Sequence, residues 1–225
     1  MIYTRARLEV IANQINEKYF PDRLLSVLPF DAYDLLEALG CDVEWKYISP
    51  DDSISGATFF EDGYWYIWPS GTYQEGDSCN KEFFPKGTVL INQIIIDKND
   101  RKKENFVVAH ECAHQIKDEE YFKNHGADIC HLCRTNDIGS TRWYTNMSEL
   151  EIIERQTNYL AAAIWMPEDV TRERFFKIAR YKNIPDHPLE IKKYVNGWIA
   201  QLAKEYNINF NPMKYRLQDL NILER

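Results

Sequence analysis

His110 and His114 stand four residues apart, with Glu111 directly after the first, in the string His110-Glu111-Cys112-Ala113-His114. Residues four apart lie one above the other on one face of a helix. Two imidazoles so placed can reach a single zinc ion at about 2.0–2.1 Å. The adjacent carboxylate can take a proton from water at that ion, which is the chemistry of metal-assisted amide hydrolysis. Phe106-Val107-Val108-Ala109 before the pair, and Ala113 and Ile116 within and after it, suit a helix in a domain interior. So short a pattern also arises by chance. The competing reading is a buried helix with two hydrogen-bonded histidines, and a third ligand from another helix separates the two.

The segment opened by Ser148 offers two acids. Ser148-x-x-Glu151 is a capping box, in which the glutamate turns back to its own helix terminus. Glu154 lies deeper, beside the small residues Thr157, Ala161 and Ala162, where a second helix can approach closely. A carboxylate there completes a His₂Glu set and leaves the fourth position open for water. Asn158, four residues on and on the same face, suits a hydrogen bond to a ligand histidine. The candidate set is therefore His110, His114 and Glu154 on one zinc ion, Glu111 as general base, and Asn158 in support. Such chemistry needs a second donor for the developing oxyanion. Tyr144, His131 and His125 are candidates, each more readily ordinary surface or core. Cys130-His131-Leu132-Cys133 is a CxxC, half of a structural zinc site. Cys79 is a candidate further ligand, but no second CxxC exists, so free thiols and a single zinc are expected.

The elements that must position these groups follow from periodicity and punctuation. Residues 3–19 carry Leu8, Ile11, Ala12 and Ile15 at helical spacing, and Pro21 ends the run. A second helix begins after Asp31 and stops at Gly40. Residues 43–48 alternate as a strand, and 58–60 with 64–68 read as a hairpin around Glu61-Asp62-Gly63. The aromatics Tyr64, Trp65, Tyr66 and Trp68 are read as sheet packing. Residues 69–87 read as a long loop, and 88–97 as the most β-prone run, an edge on which an extended substrate can pair. A polar loop leads into the HExxH helix, 105–117; the insert 118–147 has no clear period; a helix covers 148–165. Helical pieces near 169–181, 188–206 and 212–222 complete the chain. The expectation is an α+β protein, mainly helical and zincin-like, with a small antiparallel or mixed sheet. Residues 1–167 form the catalytic domain and 168–225 a C-terminal helical subdomain.

The chain has 225 residues, 44% hydrophobic and 14% aromatic, enough for a sizeable core. Its net charge of −8 argues against direct nucleic-acid binding, and few cations accompany the faint helix-turn-helix pattern of the tail. No apolar run approaches the ~20 residues of a membrane span, and the N-terminus lacks a signal-peptide core. A cytoplasmic location, with five free cysteines, is expected. The oligomeric state is not set by the sequence.

Phe106-Val107-Val108-Ala109-His110-Glu111, followed by Glu154-Arg155-Gln156-Thr157-Asn158-Tyr159-Leu160-Ala161-Ala162-Ala163-Ile164-Trp165-Met166-Pro167, resembles the ImmA/IrrE-type metallopeptidases. Their pattern is FxxAHExxH, then ExxAN-x-FAA-x-LLMP. The tail from Ile199 to Leu220 is similar to that family's helical end. The resemblance implies a thermolysin-like zinc site with His110, His114 and Glu154 as ligands and Glu111 as base. It also implies a cytoplasmic protease whose substrate is a helix-turn-helix repressor or other regulatory protein. Thr157 stands for the usual alanine, Cys112-Ala113 for a Leu-Gly pair, and Asn158 where thermolysin-like enzymes often have aspartate. The 40 positions from His114 to Glu154 exceed the family's usual gap. The alternative reading is a zinc-binding regulator that sequesters a transcription factor without cutting it. Glu111 argues for the enzyme, since a pure binder needs no base there. A non-peptidase zinc hydrolase acting on a small amide or nucleotide is a further alternative.

Overall fold

A computed structural model describes residues 2–124, 130–139, 141 and 146–225. In chain order the elements begin with α1 (Arg5–Tyr19), a 3-10 turn (Pro21–Leu24), α2 (Ala32–Ala38), β1 (Asp42–Lys46), β2 (Ile54–Phe59) and β3 (Gly63–Ile67). Next come β4 (Asn80–Phe84), β5 (Thr88–Asn92), α3 (Gln93–Asp97), α4 (Arg101–Lys117), α5 (Glu119–Asn124) and β6 (Cys130–Arg134). The chain ends in α6 (Glu149–Trp165), α7 (Glu168–Ile178), α8 (Lys193–Glu205) and α9 (Phe210–Asp219). The architecture is α+β, mainly helical with small sheets, as the sequence indicates. The chain forms two compact units, one of residues 31–138 and one of residues 2–30 with 139–225. Among the described residues no helix is long and apolar enough to cross a membrane.

The first unit is built on a four-stranded sheet in the order β1-β5-β2-β6, with β1 parallel to β5 and the other pairs antiparallel. Side chains alternate between the faces of a strand, and each face of β2 has its own partner. Ala57 and Phe59 enter an apolar cluster with Ile48, Ile67, Phe84, Leu90 and Cys130. Gly56 and Thr58 face α4 instead, where both meet Glu111. The second sheet, β3-β4, supplies Ile67 and Phe84 to the cluster and leaves Tyr64, Tyr66 and Phe83 exposed.

Three expectations are corrected here. Residues 58–60 and 64–68 do not pair with each other. β3 pairs with β4, from Gly63↔Phe84 to Ile67↔Asn80, inside the stretch read as a loop. β2 instead takes β5 and β6 as its neighbours. Residues 88–97 are not one strand. The Asn92 side chain accepts from the Ile94 amide and donates to the Ile54 carbonyl at 2.6 Å, ending β5 and capping α3. This cap and tertiary packing override the β preference of three consecutive isoleucines. Finally, β5 lies between β1 and β2, so it offers no open edge to a substrate.

In the second unit, Leu8, Ala12 and Asn16 form the buried stripe of α1, which packs along α6. Asn16 Nδ2 donates to the Ile164 carbonyl at 3.1 Å. Arg216 of α9, wholly buried, donates to both carboxylate oxygens of Glu9 at 2.5 and 2.9 Å and to the Met166 carbonyl. Trp165 Nε1 donates to the Tyr206 carbonyl at 3.1 Å, tying α6 to the end of α8.

Candidate metal centre

Asp100 caps α4 by accepting from the Lys103 amide, and the helix runs unbroken through Lys117. His110, Glu111 and His114 are all buried on it. The Nε2 atoms of the two histidines lie 3.0 Å apart, on edge-to-face rings. His114 Nδ1 lies 2.7 Å from Asp118 Oδ2, one turn further on. Burial alone raises the Asp118 pKa. The Lys117 ammonium, at 2.5 and 2.6 Å, and His114 outweigh it and hold the carboxyl below its ordinary range. A carboxylate anion accepts hydrogen bonds only, so His114 donates from Nδ1 and turns its Nε2 towards His110.

Two nitrogen lone pairs at this distance repel unless a proton or a cation lies between them. Two imidazole nitrogens bound tetrahedrally to zinc stand about 3.3 Å apart, given bonds of about 2.05 Å. The observed 3.0 Å is close to that spacing, and the imidazole–carboxylate pair is the usual partner arrangement of a ligand histidine. The donor set fits a metal ion.

Glu111 is held from the sheet. Thr58 Oγ1 donates to its Oε2 at 2.6 Å. A Cβ built on Gly56 falls 2.5 Å from Glu111 Oε1, so only glycine leaves room for the carboxylate. The strand beyond β2 adds a further layer. Cys133 pairs with Gly56, and His131 with Thr58, so both turn to the face that carries Glu111. Cys133 Sγ lies 3.1 Å from His110 Nε2. The His131 ring stands 4.7 Å from that of His114 and stacks on Phe122. Cys130 turns the other way, into the apolar cluster. The pleat thus sends the two sulfurs of the CxxC to opposite faces, and they do not make a chelating pair. Cys112 is a small buried core residue near the Ala32 carbonyl, and burial pushes its thiol pKa well up.

Glu154 and Asn158 lie one turn apart on α6 in the second unit, both buried. The capping box forms as the sequence indicates. Ser148 Oγ accepts from the Glu151 amide, and Glu151 Oε2 accepts from the Ser148 amide at 2.8 Å. Asn158 Oδ1 accepts from the Gly139 amide at 2.8 Å. Of the oxyanion candidates, His131 stands at the metal-facing layer, while His125 and Tyr144 lie outside the described residues.

Sequence reasoning missed Asp118, Thr58, Gly56 and Cys133 at this site. Asp118 carried a usable signal, four residues after His114 on the same helix face. The other three depend on strand register, which no local pattern displays.

No curated protein matches this chain. The family model described as the IrrE N-terminal-like domain, a peptidase family, matches residues 76–218. That span is well over half of the chain and contains both α4 and α6. The chain belongs to the IrrE N-terminal-like peptidase family.

Proposed function

We propose that this chain is a zinc-dependent endopeptidase, with His110, His114 and Glu154 as ligands and Glu111 as general base. The observation that carries the reading is the placement of Glu111. It is buried beside two histidines that converge through Nε2, with its orientation set by Thr58 and its space by Gly56. A passive metal holder needs none of this around a non-ligating carboxylate. The Glu154 assignment rests on sequence: its neighbour Glu151 is committed to the helix cap, and the resemblance to the ImmA/IrrE-type pattern implies a glutamate ligand there.

Bound zinc supplies a Lewis acid that polarises the scissile carbonyl and acidifies water. Glu111 takes the proton of the attacking water and passes it to the leaving amine nitrogen. Asp118 keeps His114 in the tautomer that offers Nε2 to the ion. The family resemblance points to a regulatory protein of the helix-turn-helix repressor type as substrate, and to a cytoplasmic setting.

The test compares zinc-loaded protein with its Glu111→Gln variant on a peptide library, reading new termini by mass spectrometry. Loss of a general base slows turnover by about 10²–10⁴-fold while zinc content is unchanged. Equal and measurable cleavage by the two proteins at equal zinc content, in the wild-type chain or with Cys133→Ser added to both, overturns the assignment of Glu111.

A further inference from the structure

We propose that Cys133 is an additional metal ligand, and that β6 holds the hydrolytic centre closed by placing this thiolate where the attacking water must stand. The proposal rests on the zinc-peptidase reading above and adds to it a latent state set by the chain itself.

β6 pairs antiparallel to β2, with Phe59↔Cys130, Thr58↔His131, Ala57↔Leu132 and Gly56↔Cys133. Cross-strand partners share a face. Phe59 and Ala57 belong to the apolar cluster, and Cys130 and Leu132 join them there. Thr58 and Gly56 address Glu111, so His131 and Cys133 are delivered to the reaction side of the sheet. A one-residue slip would bury His131 in the apolar cluster and turn Cys133 away from α4. The register is therefore the one that brings the sulfur to His110.

Distances give the second part. The ligand atoms of His110, Glu111 and Cys133 lie within 4.8 Å of one another, and all three residues are buried. Cys133 Sγ is 3.1 Å from His110 Nε2. A nitrogen and a sulfur bound to one tetrahedral zinc stand about 3.5 Å apart, from bonds of about 2.05 and 2.3 Å. The sulfur also borders Glu111, the group that must address the attacking water. A thiolate bound there fills the position that a catalytic zinc site keeps open, and a closed four-ligand site is the structural, non-hydrolytic kind. On ligation the thiol proton leaves to solvent and the displaced water departs unchanged, so no oxidant or reductant is involved. The competing account of the 3.1 Å contact is an ordinary S–H···N hydrogen bond in a metal-free core.

The experiment is zinc X-ray absorption on the full chain loaded with one equivalent of zinc, for wild type, Cys133→Ser and Cys130→Ser. The expected wild-type spectrum contains one sulfur at about 2.3 Å with nitrogen and oxygen at about 2.0–2.1 Å. The sulfur shell persists in Cys130→Ser and is lost in Cys133→Ser, which keeps the side-chain volume and still holds zinc. Cleavage of the peptide library rises in Cys133→Ser, because the position for the attacking water opens. A wild-type spectrum with only nitrogen and oxygen overturns the thiolate cap and leaves the peptidase reading intact. A sulfur shell lost in Cys130→Ser instead overturns the register argument. Failure of wild type to bind zinc at all overturns the metallopeptidase reading, and the cap with it.

Discussion

Asp118→Asn isolates the part of the site that the sequence did not announce. The wild-type carboxylate has two jobs: one oxygen meets His114 Nδ1 at 2.7 Å, and both oxygens meet Lys117 Nζ at 2.5 and 2.6 Å. Asparagine keeps the shape but has one acceptor oxygen. Whichever partner that oxygen serves, the other faces an amide donor. His114 then loses the anion that fixes its tautomer and raises its basicity. The loss of such a partner costs about 10–100-fold in metal affinity, or about 1.4–2.8 kcal/mol at 1.4 kcal/mol per decade. Both side chains are fully buried, so solvent screening does not reduce the figure. Zinc affinity measured by competition with a chromophoric chelator, on protein shown to be folded by circular dichroism, reads the effect. Folded Asp118→Asn protein that holds zinc within about twofold of wild type refutes the claim that this carboxylate tunes the ligand.

Gly56→Ala is expected to abolish turnover while zinc stays bound, because the new methyl falls 2.5 Å from Glu111 Oε1 and must displace the base; unchanged kcat in the peptide assay would count against the placement of Glu111. Glu9→Gln is expected to cost up to about 3–5 kcal/mol in urea unfolding, since it removes the hydrogen-bonded counter-charge of the wholly buried Arg216 and leaves only the electrostatic contribution of Asp219. The pH dependence of that pair has a definite sign. Burial raises the Glu9 pKa, but the Arg216 charge and the hydrogen bonds from Arg216 and Tyr159 outweigh it, and the folded pKa lies below the unfolded value. The stabilisation is thus complete above the unfolded carboxylate pKa of about 4.3 and disappears as pH falls through the folded value. Wild-type urea midpoints should fall more steeply than those of Glu9→Gln on that acid side, and parallel curves would refute the linkage.

Helical parts of the chain were readable because their signals are local. Asp31 and Gly40 bracket α2, Ser148 and Glu151 close a capping box, and the two histidines and Glu111 need only a helix to converge. What could not be read is pairing at a distance. Residues 5–19 give a clear helical stripe, yet nothing in that stripe says that it packs on residues 149–165, which places it in the second unit. Thr58-Phe59-Phe60 and Tyr64-Trp65-Tyr66 look like hairpin arms because a short acidic glycine turn lies between them. Their partners are instead strands further along the chain, β5 and β6 for β2 and β4 for β3.

The stretch Cys130-His131-Leu132-Cys133 shows how one pattern can conceal another. As a CxxC it invites a chelating loop, in which both sulfurs point to one ion. As a strand it has period two, and a separation of three residues sends the sulfurs to opposite faces. The pairing with β2 decides between these, because Phe59 and Gly56 already have fixed and contrary surroundings, one an apolar cluster and the other the Glu111 carboxylate. Gly56 is therefore where the sheet and α4 meet closely. Its missing side chain admits the base from α4, and its register partner is the cysteine that reaches His110. Under the proposed closure, the position that makes room for Glu111 is also the one whose register partner caps the ion.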